Sequence, residues 1–229
     1  MAIGGSGLQA VAEISACQPP SIHAYLGLKD FDMQKRKRLV FGIGINDSIA
    51  PVYERKNGKR ARTPAYRCWV DMLKRCYSDR YHLLQPTYAN CTVCDEWLIF
   101  SRFKEWFDTQ HKEPGWQIDK DLLCVGNKIY CPDFCVFVPR QLNLFFNDKA
   151  ARSGDCMLGV DWHRGKFRAK CHNPFTRKQE HLGYFDSEHE AHMAWMKRKH
   201  EIACDLSLGA HDARVAHALR SRFAGRVSA

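Results

Sequence analysis

The sequence predicts an α+β fold, in which an aromatic- and cysteine-rich helical region carrying a strand–strand–helix (ββα) unit is followed by a three-stranded antiparallel sheet packed on one helix. Three patterns carry this reading. Apolar residues recur at helical spacing through PAYRCWVDMLKRCYS and CDEWLIFSRFKEWFDTQ. The runs MLGVDWHRG, KFRAKCHN and QEHLGYF alternate with the period of two expected of half-exposed strands. Ser187, with Glu190 three residues later, forms a capping box that opens a final long helix.

Taken in order, residues 1–38 read as an arm ending in the basic run Lys35, Arg36, Lys37, Arg38, either a solvated segment or a phosphate clamp. LVFGIGIND reads as a strand ending in a turn, and ERKNGKRAR as a basic loop with Asn57-Gly58 at its tip. The helix after Pro64 places Tyr66, Trp69, Met72, Leu73 and Cys76 toward a core; the next does the same with Trp97, Phe100, Phe103, Trp106 and Phe107. WQIDKDLL and CVFVP are strand-like, joined through a Gly-Asn turn loop, and RQLNLFFND is a short helix. Together they make the ββα unit of a region spanning 39–149.

The module at 156–206 follows. Gly165 and Asn173-Pro174 supply its turns. Ala191, Ala194, Trp195 and Ile202 share one helix face, which covers one side of the sheet and leaves the other open. Residues 207–229 read as a basic tail with helical periodicity and no evident core partner.

Lys+Arg 35 against Asp+Glu 25 gives a net charge of +10 over 229 residues, which points to a polyanionic partner. A membrane partner is not expected, because charge interrupts every apolar run well short of a spanning length. The opening MAIGGSGLQAVAEISACQPP lacks a basic segment before its weakly apolar stretch, so secretion is not expected. The 11 cysteines then read as reduced thiols. Cys91-x-x-Cys94 and Cys131-x-x-x-Cys135 have ligand spacing, and two readings stand: a structural Zn²⁺, or thiols buried beside the aromatics.

Two stretches carry a resemblance. GVDWHRGKFRAKCHNPFTRKQEHLGYFDSEHEAHMAWMKRKHEIA resembles the APETALA-type (ethylene-response-factor-like) DNA-binding domain. RCWVDMLKRCYS, PTYANCTVCDEW, IDKDLLCVGNKIY and CPDFCVFVPRQLN resemble the region in front of that domain in bacteriophage HNH-like homing endonucleases. Together they cover about Leu39 to Leu206. The first resemblance implies a sheet that enters the major groove of double-stranded DNA, with Trp162, Arg164, Lys166, Arg168 and Lys170 on the first two strands and Arg177, Lys178, His181 and Tyr184 on or beside the third. It leaves Phe167, Leu182 and Phe185 for the core.

The second resemblance implies an HNH-like ββα site holding one divalent cation, Mg²⁺ or Mn²⁺, in a DNA endonuclease acting in the cytoplasm of an infected bacterial host, with no small-molecule cofactor. Asp119 matches the family's metal-binding aspartate and Asn143 its helical ligand; Asp121 and Asn127 add oxygen donors. The chain departs from the pattern at two places. Lys120 stands where the catalytic histidine belongs, and Phe134 where the orienting asparagine belongs. The base then falls to Lys120 itself or to a histidine from elsewhere, His82 or His111; Lys120 can instead neutralise the phosphate. The rival expectation is a catalytically inactive DNA-binding or regulatory protein derived from such a nuclease.

Overall fold

Phe41 and Gly42, at φ 52° and 77°, fold residues 40–44 into a tight turn closed by a Val40–Gly44 bridge. LVFGIGIND is therefore a turn rather than a strand, and after it Ile45 bridges Ile99 in parallel. In this computed structural model the described residues are 39–146 and 155–224. The expected basic arm, with its Lys35, Arg36, Lys37, Arg38 run, lies outside them.

The basic segment after Tyr53 is a hairpin: β1 (Tyr53–Lys56) pairs antiparallel with β2 (Lys59–Arg62). Asn57 and Gly58, at φ 51° and 73°, supply the positive dihedrals that a two-residue hairpin turn requires. Pro64 then starts α1 (Pro64–Tyr77), whose predicted apolar face is buried in full at Tyr66, Trp69, Met72, Leu73 and Cys76. Ser78 caps α2 (Asp79–Leu84) by accepting from the Tyr81 amide. The second predicted helix is broken at Ile99, giving a short 3-10 turn over Asp95–Leu98 and then α3 (Phe100–Thr109). Trp97, Phe100, Phe103 and Phe107 are buried against α1, and the Trp69 indole donates to the Trp97 carbonyl at 2.6 Å.

Beyond this first core, β3 (Thr92–Val93) pairs in parallel with β5 (Ile129–Tyr130). β4 (Gln117–Asp119) pairs antiparallel with β6 (Val136–Val138), placing Asp119 opposite Val136, and α4 (Arg140–Phe146) follows directly. The three-stranded sheet has the order β7 (Val160–His163), β8 (Lys166–Asn173), β9 (Lys178–Phe185), all antiparallel, with a bulge near Ala169. Ser187 accepts from the Glu190 amide and opens α5 (Glu188–Leu208). Gly159, at φ 79°, lies so close under the Trp195 ring that a Cβ there would sit 2.1 Å from it.

The tail is where the structure departs most from expectation. It forms α6 (Ala213–Arg222), capped by Asp212, and it does have a core partner. Val215, Leu219 and Phe223 are buried with Trp195, Met196 and Ile202 of α5 and with Leu122, Val136, Val138 and Phe145 from the front of the chain. Lys199 is buried in the same core, its ammonium donating to the Phe145 carbonyl and lying 3.9 Å from the Phe145 ring centroid, with Trp195 and Phe223 also around it. The architecture is mixed α+β, and among the described residues no helix is long and apolar enough to cross a membrane.

Candidate functional site

The end of β4 builds a cleft of about 570 Å³. Asp119 Oδ1 accepts from the amides of Asp121 and Leu122 at 2.9 and 2.7 Å, so the carboxylate is held by the chain reversal it creates. Burial pushes its pKa up, and the Asp121 charge adds to this; the two amides and Lys120 pull the other way without prevailing. Asn143, reaching in from α4, donates through Nδ2 to Gln117 Oε1 at 3.1 Å, which leaves its Oδ1 as the acceptor of that amide. Asp119, Lys120, Asp121 and Asn143 therefore share one cleft.

Four further cations line the cleft, among neutral residues such as Thr87, Tyr88, Tyr130 and Phe146: Arg75 from α1, Lys128 beside β5, Arg140 from α4 and Arg222 from the last turn of α6. One buried guanidinium nitrogen of Arg222 has no hydrogen-bond partner among the described residues. Lys120 is nearly buried, with a side chain 6% exposed; it donates to the Asn127 carbonyl at 2.9 Å and pairs with Asp121 at 3.1 Å.

Three expectations are revised here. Neither His82 nor His111 lines the cleft; the His82 ring lies 2.9 Å from the Arg75 carbonyl, and the His111 ring lies against Trp116 and His211. Asn127 is committed to the loop, donating to the carbonyls of Lys120 and Ile129 and accepting from the Ile129 amide, so it organises the backbone instead of offering a metal ligand. Cys91, Cys94, Cys131 and Cys135 do not gather as a ligand set. Burial pushes the thiols of Cys91 and Cys135 up, and that of Cys94 to about 11, the behaviour of packed, protonated thiols.

The sheet separates its residues by pleat. Val160, Ala169 and Cys171 face α5 and are buried, with Phe167, Leu182 and Phe185 packed alongside. The open face carries Asp161, His163, Lys166, Arg168, Lys170, His172, His181 and Tyr184, since direct cross-strand partners share a side. Arg168 clasps Asp161 through two bonds of 3.1 and 2.5 Å, and Lys170 reaches the same carboxylate at 3.1 Å. His163 and His181 flank the Tyr184 ring.

Three residues sit differently from the expected arrangement. Arg164 is in the β7–β8 turn, at φ 51°, and not on a strand, while Arg177 sits in the turn directly beside β9, as expected. Trp162 pairs with Phe167, ring to ring at 4.7 Å, so its pleat is the α5 side, although its place at the sheet's end leaves it 59% exposed. Lys178 lies two residues from Glu180, which faces Arg198 of α5, and so belongs to that side as well.

Asp161 is the residue that sequence reasoning missed. Its signal was its place in a strand opposite Arg168 across a two-residue Arg164-Gly165 turn. The paired cations, Arg168 foremost, hold its pKa down to about 2. A depressed carboxylate stabilises the fold above its ordinary value of 3.8, and that contribution is lost as pH falls toward about 2. Searches of protein-family models, curated proteins and solved structures return no match to this chain.

Proposed function

We propose that the protein is a metal-dependent DNA endonuclease of the HNH-like homing type, whose APETALA-like sheet selects the duplex and whose Asp119 cleft hydrolyses the phosphodiester. The observation that carries this reading is one cleft combining a half-buried carboxylate and an amide oxygen with Arg75, Lys128, Arg140 and Arg222. Asp119 Oδ2 and Asn143 Oδ1 are hard oxygen donors, which fit Mg²⁺ or Mn²⁺. Bound there, such an ion supplies positive charge against the developing oxyanion and acidifies water. Arg140 and Arg222 of the cleft lining supply charge toward the phosphate, and Lys120 adds fixed charge from behind.

The exposed β1–β2 hairpin, with Arg55, Lys56, Lys59, Arg60 and Arg62, and the open sheet face supply phosphate and groove contacts. A second reading, an inactive DNA-binding protein of the same descent, is favoured by the lack, among the described residues, of any histidine in the cleft lining. Incubating the protein with duplex DNA and Mg²⁺ or Mn²⁺, with and without chelator, decides between them. Chelator-sensitive nicking or cutting is expected; tight binding without cleavage leaves only the second reading.

Asp161→Asn tests the sheet. Removing the carboxylate releases Arg168 and Lys170 to phosphates, so affinity for random duplex should rise and the plot of log K against log salt should steepen by about 0.9 for each added phosphate contact. An unchanged slope in a salt titration would remove this face from the interface.

A further inference from the structure

Away from the cleft, His111 and Glu113 in the loop between α3 and β4 meet His211 in the turn between α5 and α6, all three exposed. One ligand atom from each lies within 4.8 Å of the other two. We propose that these residues form a Zn²⁺-class site that clips the α5–α6 turn to the loop leading into β4.

The geometry favours this over chance crowding. The two imidazole rings lie 4.4 Å apart between centroids, and Trp116 packs against both, at 5.4 and 5.8 Å. A tetrahedral Zn²⁺ with bonds of roughly 2.0–2.1 Å needs donors about 3.4 Å apart, within reach of a small closing rotation of exposed side chains. Lys112, the neighbouring cation, does not oppose the ion, because its ammonium is held by the carbonyls of Phe107 and Gln110. Asp212, next to His211, caps α6 and pairs with Arg214, so it is not a competing ligand.

The donor set selects the metal. Two imidazoles and a carboxylate are a borderline nitrogen–oxygen set, suited to Zn²⁺, Co²⁺ or Ni²⁺ and poorly suited to the all-oxygen preference of Mg²⁺ or Ca²⁺. Water completes the coordination on the exposed side. The site is thus chemically distinct from the oxygen-donor cleft at Asp119, and it does not depend on the nuclease reading.

The test uses the full chain with Zn²⁺ and Co²⁺ as probes. Expected are one tightly bound ion, a Co²⁺ spectrum with d–d bands and no thiolate charge-transfer band, and a Tm raised by Zn²⁺. His111→Phe keeps an aromatic ring against Trp116 but removes a ligand; its metal-free Tm should stay near the parent's, with the Zn²⁺-induced rise lost. Glu113→Gln should weaken binding by about tenfold or more. Asp119→Asn should bind Zn²⁺ as the parent does. A parent that binds no Zn²⁺, a rise that survives in His111→Phe, or a thiolate band in the Co²⁺ spectrum would each overturn the site.

Discussion

Asp119→Asn is expected to reduce metal-dependent DNA cleavage by about a thousandfold or more, because it removes the anionic ligand of the proposed ion, an effect of several kcal/mol on the transition state. The same change is expected to make the fold more stable at neutral pH. The asparagine Oδ1 still accepts from the amides of Asp121 and Leu122, so the chain reversal survives. What disappears is a carboxylate that burial and Asp121 make costly to ionise. With its folded pKa raised, Asp119 contributes stability below its ordinary value and loses it as pH rises through the folded value. The Tm gain of Asp119→Asn should therefore be present at pH 7 and shrink toward acid. Melts over a pH series, run beside cleavage and DNA-binding assays, check both halves; an equally active variant would remove Asp119 from the chemistry.

Leu219→Ala is the second large effect. Leu219 is fully buried at the meeting point of α6, α5 and the β6–α4 segment. Truncating such a residue costs about 2–5 kcal/mol, a large share of the roughly 5–15 kcal/mol that holds a domain together. Because residues from both sides of the 147–154 segment share this core, the loss should lower the stability of sheet and cleft together. Urea unfolding followed by tryptophan fluorescence should show one transition, shifted to lower denaturant. A variant melting like the parent would mean that α6 contributes nothing to the core.

The legible parts of the fold were those whose signal is local. α1 was readable because one stretch contains its whole apolar stripe, and the β7–β9 sheet because alternation and positive-φ turns repeat within it. α6 was not, although Val215, Leu219 and Phe223 recur every fourth residue. Its basic composition looked solvated, and its partners at Leu122, Val136 and Val138 are assembled only by tertiary packing. The candidate site divides the same way. Asp119 and Asn143 were singled out only through the resemblance to the HNH-like pattern, whereas the inward turn of Lys120, the Asp161–Arg168 clasp and the approach of His211 to His111 depend on contacts that no local pattern encodes.

α5 runs unbroken through 21 residues, from beneath the three-stranded sheet to the packing surface of α6, whose last turn delivers Arg222 to the cleft. At about 1.5 Å per residue it is a strut roughly 31 Å long, the span of about nine base-pair steps. A nuclease tethered by a slack linker scatters its cuts around the site it reads. On the proposed nuclease reading, the distance between the bases read and the bond broken is set by a length of helix, so the cut should fall at one fixed offset from the recognised sequence.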